Sequence, residues 1–163
     1  MPAEPTRSLS AARRNNPLGD DSVSLDDLVT RHEGRAPQAL IEEEGEAHFR
    51  DAETRALRRE LETGSARVID TGGGAWTLPR NRALAAEHHC LTVWLDAPFA
   101  LCWERITAES GAVGRPLAPS RERAAALYDA RRAAYALAAL HLPVTPARPP
   151  EELAAHIAAA ARA

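Results

Sequence analysis

Every basic residue in this chain is arginine: the 163 residues hold 20 of them and no lysine. GC-rich coding, which favours Arg and Ala codons, is the plain source of the bias, and its chemical consequence stands whatever the source. A guanidinium is a planar fork that grips carboxylates by paired N–H donors. The compact ammonium that reaches the β- and γ-phosphates from a Gly-rich nucleotide loop is missing. Other reactive sets are thin. His88, His89 and Cys90 are adjacent rather than spaced as metal ligands, and no Gly-x-Ser-x-Gly turn or separated Cys/His pair points to a nucleophile.

Taken singly, the polar residues that could build a site have ordinary readings. Arg50 lies on a helical stretch near Glu46 and Glu53 and reads as half of a surface salt bridge; Arg131, beside Arg132 and near Asp129, reads the same way. Ser24, three residues before Asp27, reads as a helix cap, and Asp26 as a first-turn acid favoured by the helix dipole. The run Gly72, Gly73, Gly74 reads as a strand-to-helix turn. Arg115, in "GAVGRPLAP", reads as a solvated loop arginine before a proline.

The elements that must position these groups alternate between helix-period segments and short β-branched runs, which predicts an α/β class with a parallel sheet covered by helices. Helices are predicted over 25–32, 46–61, 79–87, 98–109, 120–140 and 151–162, and strands over 67–70, 91–95 and 141–144. In the second helix Phe49, Ala52, Ala56, Leu57 and Leu61 form the apolar stripe, with Arg50, Glu53 and Arg58 facing elsewhere. The length suits one domain, 1–163, with the first twenty residues partly disordered.

Composition narrows the function. An apolar content of 45% and a charged content of 26% are those of a folded globular protein. Net charge is −3 with signs interspersed, so no basic face is offered to nucleic acid. Apolar runs such as 154–161 are too short to span a bilayer and no signal peptide opens the chain, which predicts a cytoplasmic protein with no membrane partner. Cys90 and Cys102 are expected as reduced thiols buried in a strand and a helix.

Five blocks carry a family resemblance: "GRAPQALIEEEGEAHFR" ending at Arg50, "VIDTGGG" ending at Gly74, "NRALAAEHHCLTVWLDAP" from Asn81, "GRPL" from Gly114 and "RRAAY" from Arg131. In this order and near these spacings the chain resembles the shikimate kinase family over residues 22–144. The resemblance implies a P-loop kinase-like fold, a three-layer parallel sheet flanked by helices, lacking the usual first, central strand. It also implies cytoplasmic ATP-dependent phosphorylation of the 3-hydroxyl of shikimate, in aromatic amino-acid biosynthesis, with ATP and Mg2+ as the family's cofactors.

Residue by residue, the resemblance puts Arg50 and Arg131 on the substrate carboxylate and Asp26 on the ring hydroxyls, where it accepts the proton of the attacking one. It puts the amides of Gly72, Gly73 and Gly74 against the substrate, and makes Arg115 the lid arginine over the nucleotide. The phosphate loop departs from the family. Its lysine and serine positions fall on Arg7 and Ser8, its glycines on Glu4 and Thr6, and "RSLSAARRNN" is what remains of the first helix. Ser24 stands where the family has an aspartate that helps hold Mg2+, leaving Ser8 as a metal contact. Two functions are therefore expected from the sequence: the kinase, or an inactive homologue that binds shikimate, or a similar hydroxylated acid, or a protein partner in a regulatory role.

Overall fold

Proline opens helices in this chain and glycine closes them. Pro37, Pro79 and Pro150 take the first helical turn, where a missing N–H costs nothing. Gly34 and Gly64 close two others in the left-handed conformation, at φ +69° and +61°, each returning its N–H to a carbonyl of the last turn. The computed structural model describes residues 21–109 and 120–162. Arg7, Ser8 and Arg115, and the expectation of disorder over the first twenty residues, lie outside the described residues.

The order is β1 (Ser22–Ser24), α1 (Leu25–Glu33), α2 (Pro37–Glu44), α3 (Glu46–Thr63), β2 (Val68–Asp70), α4 (Gly72–Ala75), α5 (Pro79–Glu87), β3 (Val93–Asp96), α6 (Phe99–Glu109), α7 (Arg121–Tyr135), β4 (Leu140–Pro143) and α8 (Pro150–Ala160). β1 and β2 pair in parallel with Val23 opposite Ile69, and β3 and β4 pair in parallel with Trp94 opposite His141. Each pair is joined through helices, as parallel strands require. Among the described residues no ladder joins the two pairs, and Leu95 of β3 is 50% exposed.

Two apolar clusters follow from this division. The larger gathers Leu25, Leu28 and Val29 of α1, Leu40 of α2, Phe49, Ala52, Ala56 and Leu57 of α3, and Leu84 of α5, with Val23 and Ile69 of the strands packed against it. The smaller joins Leu142, Val144 and Leu153 to Val93, Leu101 and Ile157. Burying side chains such as Leu25 and Leu40 contributes about 1.5–3 kcal/mol each. Helix α7 packs on the second cluster's sheet and touches the first half as well, where Trp76 Nε1 donates to the carbonyl of Ala134 (3.0 Å) and Tyr135 Oη to that of Gly73 (2.9 Å). No helix among the described residues is long and apolar enough to cross a membrane.

Several sequence expectations are corrected. The helix expected over 120–140 ends at Tyr135, because the chain must turn to bring Leu140 into register with Val93. Helix α2 and the three-residue β1 were not anticipated. Ser24 makes no side-chain cap to α1, whereas the Ser120 hydroxyl accepts from the N–H of Arg123 (3.2 Å) at the start of α7. Cys90 is exposed in the turn after α5, not buried in a strand. Glu53, expected to face away from the apolar stripe, is 3% exposed.

Candidate functional site

Arg50 sits one turn into α3, with Glu46 four residues before it and Glu53 three after, the spacings at which helical side chains meet. Its Nη1 donates to Glu53 Oε2 (2.6 Å), while Nε and Nη2 donate to Glu46 Oε1 (3.3 and 3.1 Å). The guanidinium also lies 5.1 Å from the Phe49 ring centroid. Burial works against its charge, and the bonds to Glu53 and Glu46 outweigh that, so its pKa stands above the ordinary value.

Glu53 shows what surrounds it. Burial pushes its carboxyl above the usual range against the pull of Arg50; Asp26 pushes the same way as burial, and Arg131 opposes. Four charged groups from α1, α3 and α7 therefore share one electrostatic neighbourhood. Asp26, exposed in the first turn of α1, stands at its edge. The salt bridges expected of isolated arginines divide differently: Arg50 has its two acids on α3, but the Asp96 carboxylate is held by Arg132 (2.9 and 3.2 Å). Arg131 turns instead toward the glycines.

The glycine turn is shaped by what it faces. Gly72, at φ +63°, adopts a conformation that side chains resist, and its N–H donates to Asp70 Oδ1 (3.1 Å). A Cβ on Gly73 would strike Tyr135 Oη and approach Arg131 Nη1 to 3.3 Å; one on Gly74 would lie 2.5 Å from Arg50 Nη2 and 2.6 Å from its Cζ. Absent side chains thus let the turn lie against both arginines. Asn81, 1% exposed, fixes the turn's end by donating to the carbonyl of Ala75 (2.9 Å) and accepting from Thr54 (2.8 Å).

Between α3 and α7 opens a cavity of about 540 Å³ lined by Glu46, Ala47, Arg50, Thr77, Leu78, Leu127, Ala130 and Arg131. That volume suits a small organic molecule. Arg50 and Arg131 both face it, Gly73 and Gly74 back onto them, Gly72 has open space beside it, and Asp26 is not in its wall. Two guanidiniums on an open cleft can bind an anion, and a carboxylate most directly. Among the described residues no three His, Cys, Asp or Glu side chains come together to hold a metal ion.

Sequence reasoning missed four residues here. Glu53 repeats with Phe49, Ala56 and Glu60 at steps of four, three and four, and that period alone would have placed it inside. Glu46, on the cavity wall, looked like a helix-surface acid. Tyr135 carries a pKa raised by burial, with Arg131 opposing, and touches the glycine turn, yet only its place in a motif marked it. Asn81 is marked only as the first residue of a resemblance block near the start of a helix.

Comparison with known proteins points one way. The family model for shikimate kinase matches residues 14–162. A shikimate kinase of Salinibacter ruber is 38% identical over 151 residues, covering 86% of this chain and 71% of that protein, and one from a Synechococcus is 35% identical, covering 90% and 75%. The crystal structure of shikimate kinase from Aquifex aeolicus superposes with a TM-score of 0.70 at 27% identity, over 95% of this chain and 86% of that one. The shikimate kinase from Acinetobacter baumannii, solved in complex with shikimate, gives 0.77 at 24% identity over 94% and 86%, which shows the fold.

Proposed function

Because the chain belongs to the shikimate kinase family, we propose that its cavity takes shikimate, or a closely similar hydroxylated acid, with the carboxylate held by Arg50 and Arg131. The observation that carries this is the meeting of two guanidiniums, from α3 and α7, on one cavity backed by Gly73 and Gly74. A carboxylate between two planar forks is fixed in position and orientation, which leaves the ring hydroxyls to be ordered by the remaining wall. Asp26, beside Glu53, is the acid assigned to the reacting hydroxyl, as hydrogen-bond acceptor and base.

The reaction assigned is phosphorylation of the 3-hydroxyl. Shikimate kinases draw the phosphoryl group from ATP with Mg2+. The described residues offer the cavity arginine forks and peptide groups, unaccompanied by a lysine or a cluster of acids. This donor set fits the acid; the positions assigned to the nucleotide, Arg7, Ser8 and Arg115, lie outside the described residues, so phosphoryl transfer is assigned to no described residue beyond Asp26. The absence of any lysine, and Glu4 and Thr6 at the family's loop-glycine positions, favour a second reading, a protein that binds the acid without phosphorylating it, in a regulatory role.

Thermal unfolding with shikimate and with Mg-ATP, alongside an assay for 3-phosphoshikimate, separates the two. A ligand at a hundred times its Kd stabilises the folded state by about 2.7 kcal/mol. The kinase gives ATP-dependent product that Asp26→Asn abolishes. The binding protein is stabilised by shikimate alone and yields none. No stabilisation by millimolar shikimate overturns both.

A further inference from the structure

Arg50 reaches the cavity with each of its three nitrogens already donating to an acid. Its inward Nη1 is held by Glu53, which is 3% exposed and has nowhere to go. The edge formed by Nε and Nη2, the side-on fork that suits a carboxylate, is taken by one oxygen of Glu46. Glu46 differs from Glu53 in freedom: it is the first residue of α3, its side chain is 52% exposed, and it lines the cavity beside Arg50. An acid that uses the outer fork must displace it.

Resting on the reading of the cavity as an acid site, we infer that Glu46 is a built-in competitor that occupies the fork of Arg50 in the empty protein and sets the site's preference for charged ligands. A ligand carboxylate exchanges with Glu46 charge for charge, and Glu46 swings into water at small cost because it is the exposed partner. A neutral ligand of the same shape brings no charge to replace Glu46 and leaves the ion pair closed. Glu46 thereby weakens every acid somewhat and screens out uncharged analogues. It is a specificity-determining residue that never needs to touch the bound ligand.

The test is calorimetric titration of shikimate and of its methyl ester into the wild-type chain, Glu46→Gln and Asp51→Asn. Asp51 lies on the same helix and pairs with Arg80 (2.6 Å), so its substitution removes the same charge without touching Arg50. Glu46→Gln is expected to bind shikimate about 1.5- to 5-fold more tightly, the worth of an exposed ion pair. The ester should gain by a larger factor than shikimate, because the fork it cannot open in the wild type is then free to its carbonyl, and Asp51→Asn should match the wild type with both ligands; an ester that gains no more than shikimate overturns the screening role. Equal or weaker binding of shikimate by Glu46→Gln overturns the inference, as does an equal gain in Asp51→Asn. If shikimate binds none of the three proteins, the acid-site reading itself falls and the inference with it.

Discussion

Gly74→Ala is the sharpest probe of the arginine site, because the structure says where its one new carbon must go. The Cβ would lie 2.5 Å from Arg50 Nη2 and 2.6 Å from Cζ, inside any tolerable contact. The obstructing atoms end a flexible side chain, but that end is held by Glu53 and Glu46. Arg50 must therefore leave a carboxylate that is 3% exposed. Full loss of a buried pair costs about 3–5 kcal/mol, and a forced shift that keeps part of it about 1–3 kcal/mol, so a loss of about 1–3 kcal/mol is expected in urea unfolding. Ligand affinity suffers separately: one charge-assisted hydrogen bond is worth about 1.5–3 kcal/mol, roughly a ten- to hundredfold weaker Kd for shikimate. Gly64→Ala, at the far end of α3, is the control. It has open space but sits at φ +61°, so it should lose about 1–2 kcal/mol to backbone strain with no change in affinity. If the two variants behave alike in both assays, Arg50 is not fixed against the turn and the site geometry is wrong.

Further outcomes follow from other parts of the molecule. Burial raises Glu53 above the ordinary carboxyl value of 4.5, so from there up to its raised pKa the folded protein binds more protons than the unfolded chain; stability present below that window falls as pH rises through it. Glu53→Gln should flatten that fall, read as urea midpoints between about pH 4 and 7. Leu25→Ala, at a residue fully buried beside Asp26, should cost about 2–5 kcal/mol in thermal or urea unfolding. Asn81→Ala loses two side-chain bonds, one to the Ala75 carbonyl, which keeps the N–H of Leu78 (3.3 Å), and one from Thr54; at about 0.5–1.5 kcal/mol each it should cost about 1–3 kcal/mol, with weaker shikimate binding because the glycine turn loses its anchor.

What could be read without coordinates was set by how local each signal is. Helix α5 was predicted with its observed ends because Pro79 marks the first turn. Helix α7 was overrun because the alanines after Tyr135 favour helix, and only the distant ladder from Leu140 to Val93 ends it. Helix α2 was passed over as a short stretch with three successive acids, and β1 as three residues, two of them serine, that owe their conformation to β2. For the site, Arg50, Arg131 and the glycine turn were selected by family resemblance, since their own neighbourhoods suggested surface ion pairs. Glu53 lies inside because its helical period, not its charge, sets the face it occupies. A carboxylate at a buried helical position asks for an internal cation, and Arg50 was three residues away.

The two apolar clusters give the cavity a mechanical meaning. Arg50 is anchored in one and Arg131 rides on the helix that meets β3 of the other through Tyr135 on Trp94 and Arg132 on Asp96, so a molecule gripped by both acts as a clasp across a seam that the bonds of Trp76 and Tyr135 also cross. Without the clasp each half can melt on its own schedule, and variants that keep Trp76 or Trp94 as the single tryptophan should report separate midpoints. With it, the two transitions should merge.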